Sequence, residues 1–177
     1  MPADSWQFAA RWSRSVGIIT IAVTIAVVIV DVVLARAAYA TWTDKASHLL
    51  PILGALLVTG ILGVIALFAP WSYAVRTDGI VVNRLGWPVV IAYEDIQELR
   101  PIDSREIGFA WRTFGSGGFL GWFGWFHSRP LGGFLAYATN QRDMILVTKT
   151  DGTRIVISPH PPDAFLEAAR KNREQAA

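Results

Sequence analysis

The run from Leu49 to Val75 carries no charged residue in twenty-seven positions, and no other feature narrows the possible folds of this chain so far. At ~1.5 Å rise per residue a helix of that length spans roughly 40 Å, enough to cross a ~30 Å hydrocarbon core with some tilt. Pro51 falls in the first turn, where its missing N–H has no intrahelical partner to lose. Trp71 and Tyr73 close the far end, where aromatic rings favour the headgroup level. The span places everything around it.

Residues 1–14 form a lead-in in which Trp6, Phe8 and Trp12 alternate with Arg11 and Arg14, a pattern suited to the membrane interface. Ser15 to Ala35 is a first apolar span, rich in Ile and Val, with Asp31 as its one charge. A cleaved signal peptide is the rival reading, with Arg11 and Arg14 before the apolar core and Ala38-Tyr39-Ala40 as the cleavage site. The length of that core, Asp31 and Arg36 weigh against it. Asp31 itself reads two ways: as a functional intramembrane carboxylate, or as a group near the helix end that reaches water or Arg36. Residues 36–48, with Tyr39 and Trp42 as belt residues, are enough to turn the chain around. Spans 15–35 and 49–71 therefore pair as an antiparallel hairpin, giving a transmembrane unit over 15–71. Ala55, Thr59 and Gly63 recur every four residues, as do Ala22 and Ala26, and such stripes let helix backbones approach closely. The stripe packs the hairpin on itself, or serves self-association. Arg11, Arg14, Arg76 and Arg84 on the outer flanks against Arg36 and Lys45 in the loop put both termini in the cytoplasm of a multi-pass protein of the inner (plasma) membrane.

With 177 residues, one soluble domain beside the anchor is the natural count, and 53% apolar against 17% charged residues suits a membrane protein. The chain has no cysteine, which excludes disulfides, Cys-ligated zinc, iron–sulfur clusters and thiol catalysis together. Past residue 71 twelve Lys/Arg face eleven Asp/Glu, so there is no basic stripe for nucleic acid.

From residue 72 to 177 the period changes from helical to alternating. Tyr73 to Arg76 and Ile80 to Leu85 flank Thr77-Asp78-Gly79, a turn whose Asp-Gly supplies the positive φ of a tight hairpin. Val89 to Tyr93 and Ile96 to Arg100 follow. Phe134 to Thr139 and Met144 to Thr150 form a pair across Asn140–Asp143, and Asp151-Gly152 turns into Arg154 to Ser158. Short strands at this spacing predict a small antiparallel barrel or sandwich. An amphipathic helix over 161–175, with Phe165, Leu166 and Ala169 inward, caps one end. The predicted fold class is a membrane α-helical hairpin plus a small mostly-β domain.

Seven antiparallel strands and a closing helix resemble the pleckstrin-homology-like (PH-like) plan of the bacterial families often found after two transmembrane helices. The likeness rests on Tyr73-Ala74-Val75-Arg76-Thr77-Asp78-Gly79-Ile80, on Tyr137-Ala138-Thr139, and on Ile157-Ser158-Pro159 with Asp163 and Phe165. It covers about residues 72–170. It implies a seven-stranded barrel capped by the C-terminal helix, a membrane address and a binding or assembly role, and it carries over no ligand and no functional residue. Phosphoinositide-binding PH domains hold a Lys/Arg cluster in the first hairpin; here that turn is short and acidic, which argues against phosphoinositide.

Phe109 to Leu131 departs from the strand rhythm and holds eight of the twenty-one aromatic residues. It lacks the Gly-Lys-Ser/Thr ending of a phosphate loop. Its arginines are diluted by Asp103 and Glu106, so it is no stacking platform for single strands. Two readings stand: the aromatics fill the core as strand residues, or Phe119, Trp122, Phe123, Trp125 and Phe126 meet the bilayer or a partner. Ala55, Thr59 and Gly63 are the candidate helix-packing residues. His48, His127 and His160 have no ligand spacing, and Glu94, Asp95 and Glu98 read as solvated turn charges, so no catalytic, cofactor or metal site is expected. The expected role is that of a non-enzymatic module at the inner membrane face, partnering the bilayer and either another protein or itself. The alternative is a binder of lipid or a small apolar ligand through residues 109–131.

Overall fold

The computed structural model of the protein describes residues 6–40 and 49–176. Trp42, Lys45 and His48, which the sequence reading used for the belt, the orientation and the histidine survey, lie outside the described residues.

Two long helices stand apart from the rest: α1 (Arg14–Ala40) and α2 (Leu49–Phe68). Both are long and apolar enough to cross a membrane. At ~1.5 Å per residue the twenty residues of α2 cover about 30 Å. The helix ends short of the uncharged run because Pro70 disfavours helical backbone at Ala69 and begins a strand. Tyr73 is therefore a buried core residue instead of a belt residue, while Trp71 remains half-exposed.

The helices pack along seams that differ from the small-residue stripes. On α1 the less exposed positions are Val16, Thr20, Val23, Val27, Asp31, Leu34 and Ala38; on α2 they include Pro51, Ala55, Val58, Leu62 and Ile65. These alternate three and four residues apart, the seam of a coiled-coil-like pair. Ala55 lies on it. Ala22 and Ala26 face outward, and a Cβ at Gly60 or Gly63 would meet open space, so close approach there is not what joins the helices. Gly54 does approach α1, against Leu34. Asp31 sits in the seam, nine residues before α1 ends, and its Oδ2 accepts a 2.8 Å hydrogen bond from Thr59 Oγ1. Its partner is thus the facing helix, and neither Arg36 nor the helix end.

The β domain consists of two open sheets in place of one closed barrel. The first has the order β1 (Trp6–Ala9), β2 (Pro70–Val75), β3 (Gly79–Arg84) and β4 (Val89–Ala92), all antiparallel. Its outer strand comes from the N-terminal lead-in, whose Phe8 packs edge-on against Phe165 at 5.1 Å. The second sheet has the order β5 (Ile96–Ile102), β9 (Met144–Lys149), β10 (Arg154–Ile157), β8 (Gly132–Ala138), β7 (Trp122–Ser128) and β6 (Ala110–Gly117). The described strands number ten instead of seven. The expected β8–β9 pair does not form, because β10 inserts between them, parallel to β8 and antiparallel to β9. Ser158 at the end of β10 holds this splay, its Oγ accepting from the N–H groups of Thr139 and Asn140.

The main core lies between the sheets, where Tyr73, Val75, Ile80 and Val82 meet Phe123, Ile145, Val147 and Ile157. The helix α4 (Pro162–Ala176) closes it with Phe165, Leu166 and Ala169, as its pattern predicts. A second cluster on the far face of the six-stranded sheet gathers Ile102, Ile107, Phe126, Phe134, Met144 and Val156. A one-turn helix α3 (Ser104–Ile107), with a capping box from Asp103 and Glu106, links the two edge strands β5 and β6 and folds over this face.

Candidate functional site

The aromatic segment is a hairpin of β6 and β7, so the strand part of the first reading holds, while of its eight rings only Phe123 and Phe126 are buried in the core. Its glycines hide the alternation. Gly115 and Gly124 face each other across the hairpin at positive φ, and a Cβ on Gly115 would run into the Phe123 carbonyl. A bulge between Arg112 and Phe114 shifts the register once more.

Pairing sorts the proposed contact residues. Phe123 and Phe126 are buried, the first between the sheets and the second in the far cluster, so neither reaches the surface. Phe119 and Trp122 are half-buried, and Trp125 is exposed. Two rings outside that set are more exposed, Phe109 at 83% and Phe114 at 77%, and Trp111, which lies against the His127 ring, is about as exposed as Trp125. They stand on or beside β6, one of the two edge strands of its sheet. No residue pattern marks β6 as an edge, since edge position depends on pairing between distant segments.

The hairpin rests on both apolar helices. At its tip Leu120 adopts φ 58°, uncommon for a bulky side chain, and its N–H donates a 2.9 Å hydrogen bond to Thr20 Oγ1 of α1. A Cβ on Gly118 would lie only 2.8 Å from Ile19 Cδ1. Farther along, Phe114, Gly115, Phe123, Gly124 and Tyr137 enclose a cleft of about 260 Å³ with Val64, Ile65, Phe68 and Arg84. The Arg84 guanidinium stands 5.7, 5.5 and 5.4 Å from the rings of Phe68, Trp87 and Tyr137. Phe68 and Trp87 meet edge-on, and Gly86 N–H donates to the Leu67 carbonyl at 3.0 Å, fastening the β3–β4 turn to the end of α2. The result is an aromatic collar around the base of the helical pair.

A second hollow, of about 310 Å³, lies on the far face of the six-stranded sheet. Phe109, Ala110, Trp122, Phe126, Ala136 and Met144 line it, with Ser104 and Gln141 as its polar contributors. Trp122 Nε1 is a buried donor with no hydrogen-bond partner.

The polar interior ties the domain to α1. Tyr73 O–H donates to the Tyr137 carbonyl at 2.7 Å and accepts from Ser158 N–H at 3.3 Å. Burial pushes the Tyr73 phenol up to about 12, so it stays neutral. Thr139 Oγ1 donates to the Arg11 carbonyl, and Ser13 N–H donates to the Thr139 carbonyl, which fixes the start of α1. His160 lies 3.4 Å from Asp143 and 3.3 Å from Arg11, while His127 lies against Trp111. Asp95 pairs with Lys149 and Glu98 with Arg100, so these carboxylates belong to separate ion pairs. Among the described residues no group of three His, Cys, Asp or Glu converges as a metal site would.

An apolar helical pair joined without a linker to a mostly-β lobe with a C-terminal helix defines the class of protein. A family model for the bacterial PH domain matches residues 71–173, and the chain belongs to that family. No curated protein and no solved structure matches the chain.

Proposed function

We propose that the protein is a non-catalytic, membrane-anchored PH-like module that holds its β domain against the inner face of a bacterial plasma membrane and binds a protein partner or a second copy there. The observation that carries this reading is the edge strand β6, exposed from Trp111 to Gly115, with the large ring of Phe114 within that stretch and Phe109 just before the strand. An edge strand offers unpaired N–H and C=O groups on one side, which a strand from a partner can complete. Exposed aromatic anchors beside it supply contact area. The bulge and Arg112 limit indiscriminate pairing at the same edge.

The membrane placement is supported by the helices. α2 buries no side chain, and Ile, Val and Leu side chains of both helices face outward. Each such side chain would forgo ~1.5–3 kcal/mol in water. The flanking arginines support cytoplasmic termini. The six residues of β2 carry the Thr77-Asp78-Gly79 turn roughly 20 Å from the end of α2. That distance, with the acidic turn, speaks against phosphoinositide binding at the first hairpin.

Light scattering on the full chain in mild detergent tests the reading. The expected particle is an oligomer that collapses to monomer on Trp111→Ala with Phe114→Ala. A monomeric wild-type particle carrying co-purified lipid would overturn it in favour of the second reading. That reading, an apolar-ligand binder, is favoured by the hollow beside Trp122, whose unpartnered indole N–H could meet a carbonyl. Ala136→Phe fills the hollow and would then abolish the co-purified lipid that Arg84→Gln leaves in place.

A further inference from the structure

The geometry points to a phospholipid site at Arg84, with the phosphate on the guanidinium and one acyl chain in the cleft between α2 and the β6–β7 hairpin. The inference rests on the membrane placement proposed above; its cleft shares Phe114 and Gly115 with β6, whereas Arg84 lies outside that strand.

The cation is built into place. Arg84 Nε donates to the Trp87 carbonyl at 3.0 Å, which fixes the guanidinium plane among three aromatic rings. Neither Nη atom has a hydrogen bond, and no carboxylate pairs with Arg84, among the described residues. The two Nη groups present the fork that suits two oxygens of one phosphate. Arg100, by contrast, has Glu98 and Glu106 beside it. Among the described residues Arg84 has three rings and the Trp87 carbonyl, and no carboxylate.

The depth fits a headgroup. Phe68 is the last residue of α2, and Trp71 and Trp87 are half-exposed beside it, the residue types that gather at the headgroup level. Val64 and Ile65 of the same cleft lie one turn deeper, and Phe114 closes its outer side. The cleft is smaller than the ~300–1,000 Å³ of pockets that enclose a whole ligand, so it suits one chain segment of a lipid whose remainder lies in the bilayer. Charge complementarity and continuity with the apolar helix surface both select a phosphate-bearing lipid over a soluble apolar molecule.

Native mass spectrometry of the full chain in nonionic detergent tests this with phosphatidylglycerol as the probe. Diacylglycerol and inorganic phosphate serve as comparators. The wild type is expected to retain a phosphatidylglycerol adduct, and Arg84→Gln to reduce its occupancy at least about tenfold, the scale of one lost charge-assisted pair. Arg76→Gln, at the far end of β2, should leave it unchanged. Equal adducts in wild type and Arg84→Gln would overturn the proposal. So would diacylglycerol binding as tightly as phosphatidylglycerol, or inorganic phosphate displacing it, which would make this a free-anion site. Should Arg84→Gln fail to fold, the wild type alone decides. Brominated phosphatidylglycerol in detergent micelles should quench tryptophan fluorescence more than brominated diacylglycerol, which lacks the phosphate, and equal quenching contradicts the site. Failure of the membrane placement would show differently, as a chain that stays soluble without detergent.

Discussion

Tyr73 shows how much one hydroxyl carries here. It donates to the Tyr137 carbonyl and accepts from Ser158 N–H, so it joins β2, β8 and β10 at the point where the second sheet splays. Tyr73→Phe removes one hydrogen bond from each of these two buried backbone groups. The expected loss is about 1–3 kcal/mol, read as a lower melting point in detergent. The phenol also sets an alkaline limit. Its pKa rises from 10.0 to about 12 because burial disfavours the phenolate. A raised folded pKa means that this contribution is fully present below pH 10 and is lost as pH climbs through about 12. Tyr93, raised to about 12 by burial and then by Asp78, acts in the same window. A pH titration of unfolding should show the fall above pH 10, reduced in Tyr73→Phe; an unchanged titration in the variant would remove Tyr73 from this account.

Among the elements, the β6–β7 hairpin is the one whose place depends on the helices. Gly118→Val adds a Cβ against Ile19 and strains a backbone at φ 135°. The tip should lift from α1, and limited proteolysis should cut within residues 118–121 faster than in the wild type. In the helical pair, magnitudes decide the role of Asp31. A carboxylate at a helix centre costs ~2.5–3.5 kcal/mol, and an interhelical hydrogen bond in a membrane returns ~0.6 on average. Oδ1 is buried without a partner. Asp31→Leu is therefore expected to raise the melting point of the chain. A fall of more than about 1 kcal/mol would show that the bond to Thr59 holds the pair together.

The helices, the first hairpin, the C-terminal helix and the family likeness were legible, because periodicity and turn chemistry are local. The pairing was not. Nothing near Arg154 says that β10 inserts between β8 and β9, nor near Trp6 that the lead-in adds a strand to β2. The collar escaped for a related reason. Arg84, Trp87 and Phe114 come from separate turns and strands, and only the fold brings them to the base of α2. Among the aromatics, Phe123 and Trp125 read alike in sequence, yet one is core and the other surface.

For the molecule as a whole, the governing idea is that the helical pair fixes where the β domain stands and which of its surfaces meets lipid. With no linker between Phe68 and Pro70 beyond Ala69, the first sheet begins where α2 stops. On the placement proposed above, the collar of Phe68, Trp87 and Tyr137 would lie at the bilayer surface, with the Thr77–Gly79 turn directed away from it. The chain has no cysteine, so single substitutions report position cleanly. The most direct test is labelling of Ala40→Cys and Thr77→Cys in intact bacterial cells with a membrane-impermeant maleimide. Cysteine at 40, at the end of α1, should react in intact cells, and cysteine at 77 only after the membrane is opened. Labelling at 77 in intact cells would contradict the placement of the β domain on the inner face.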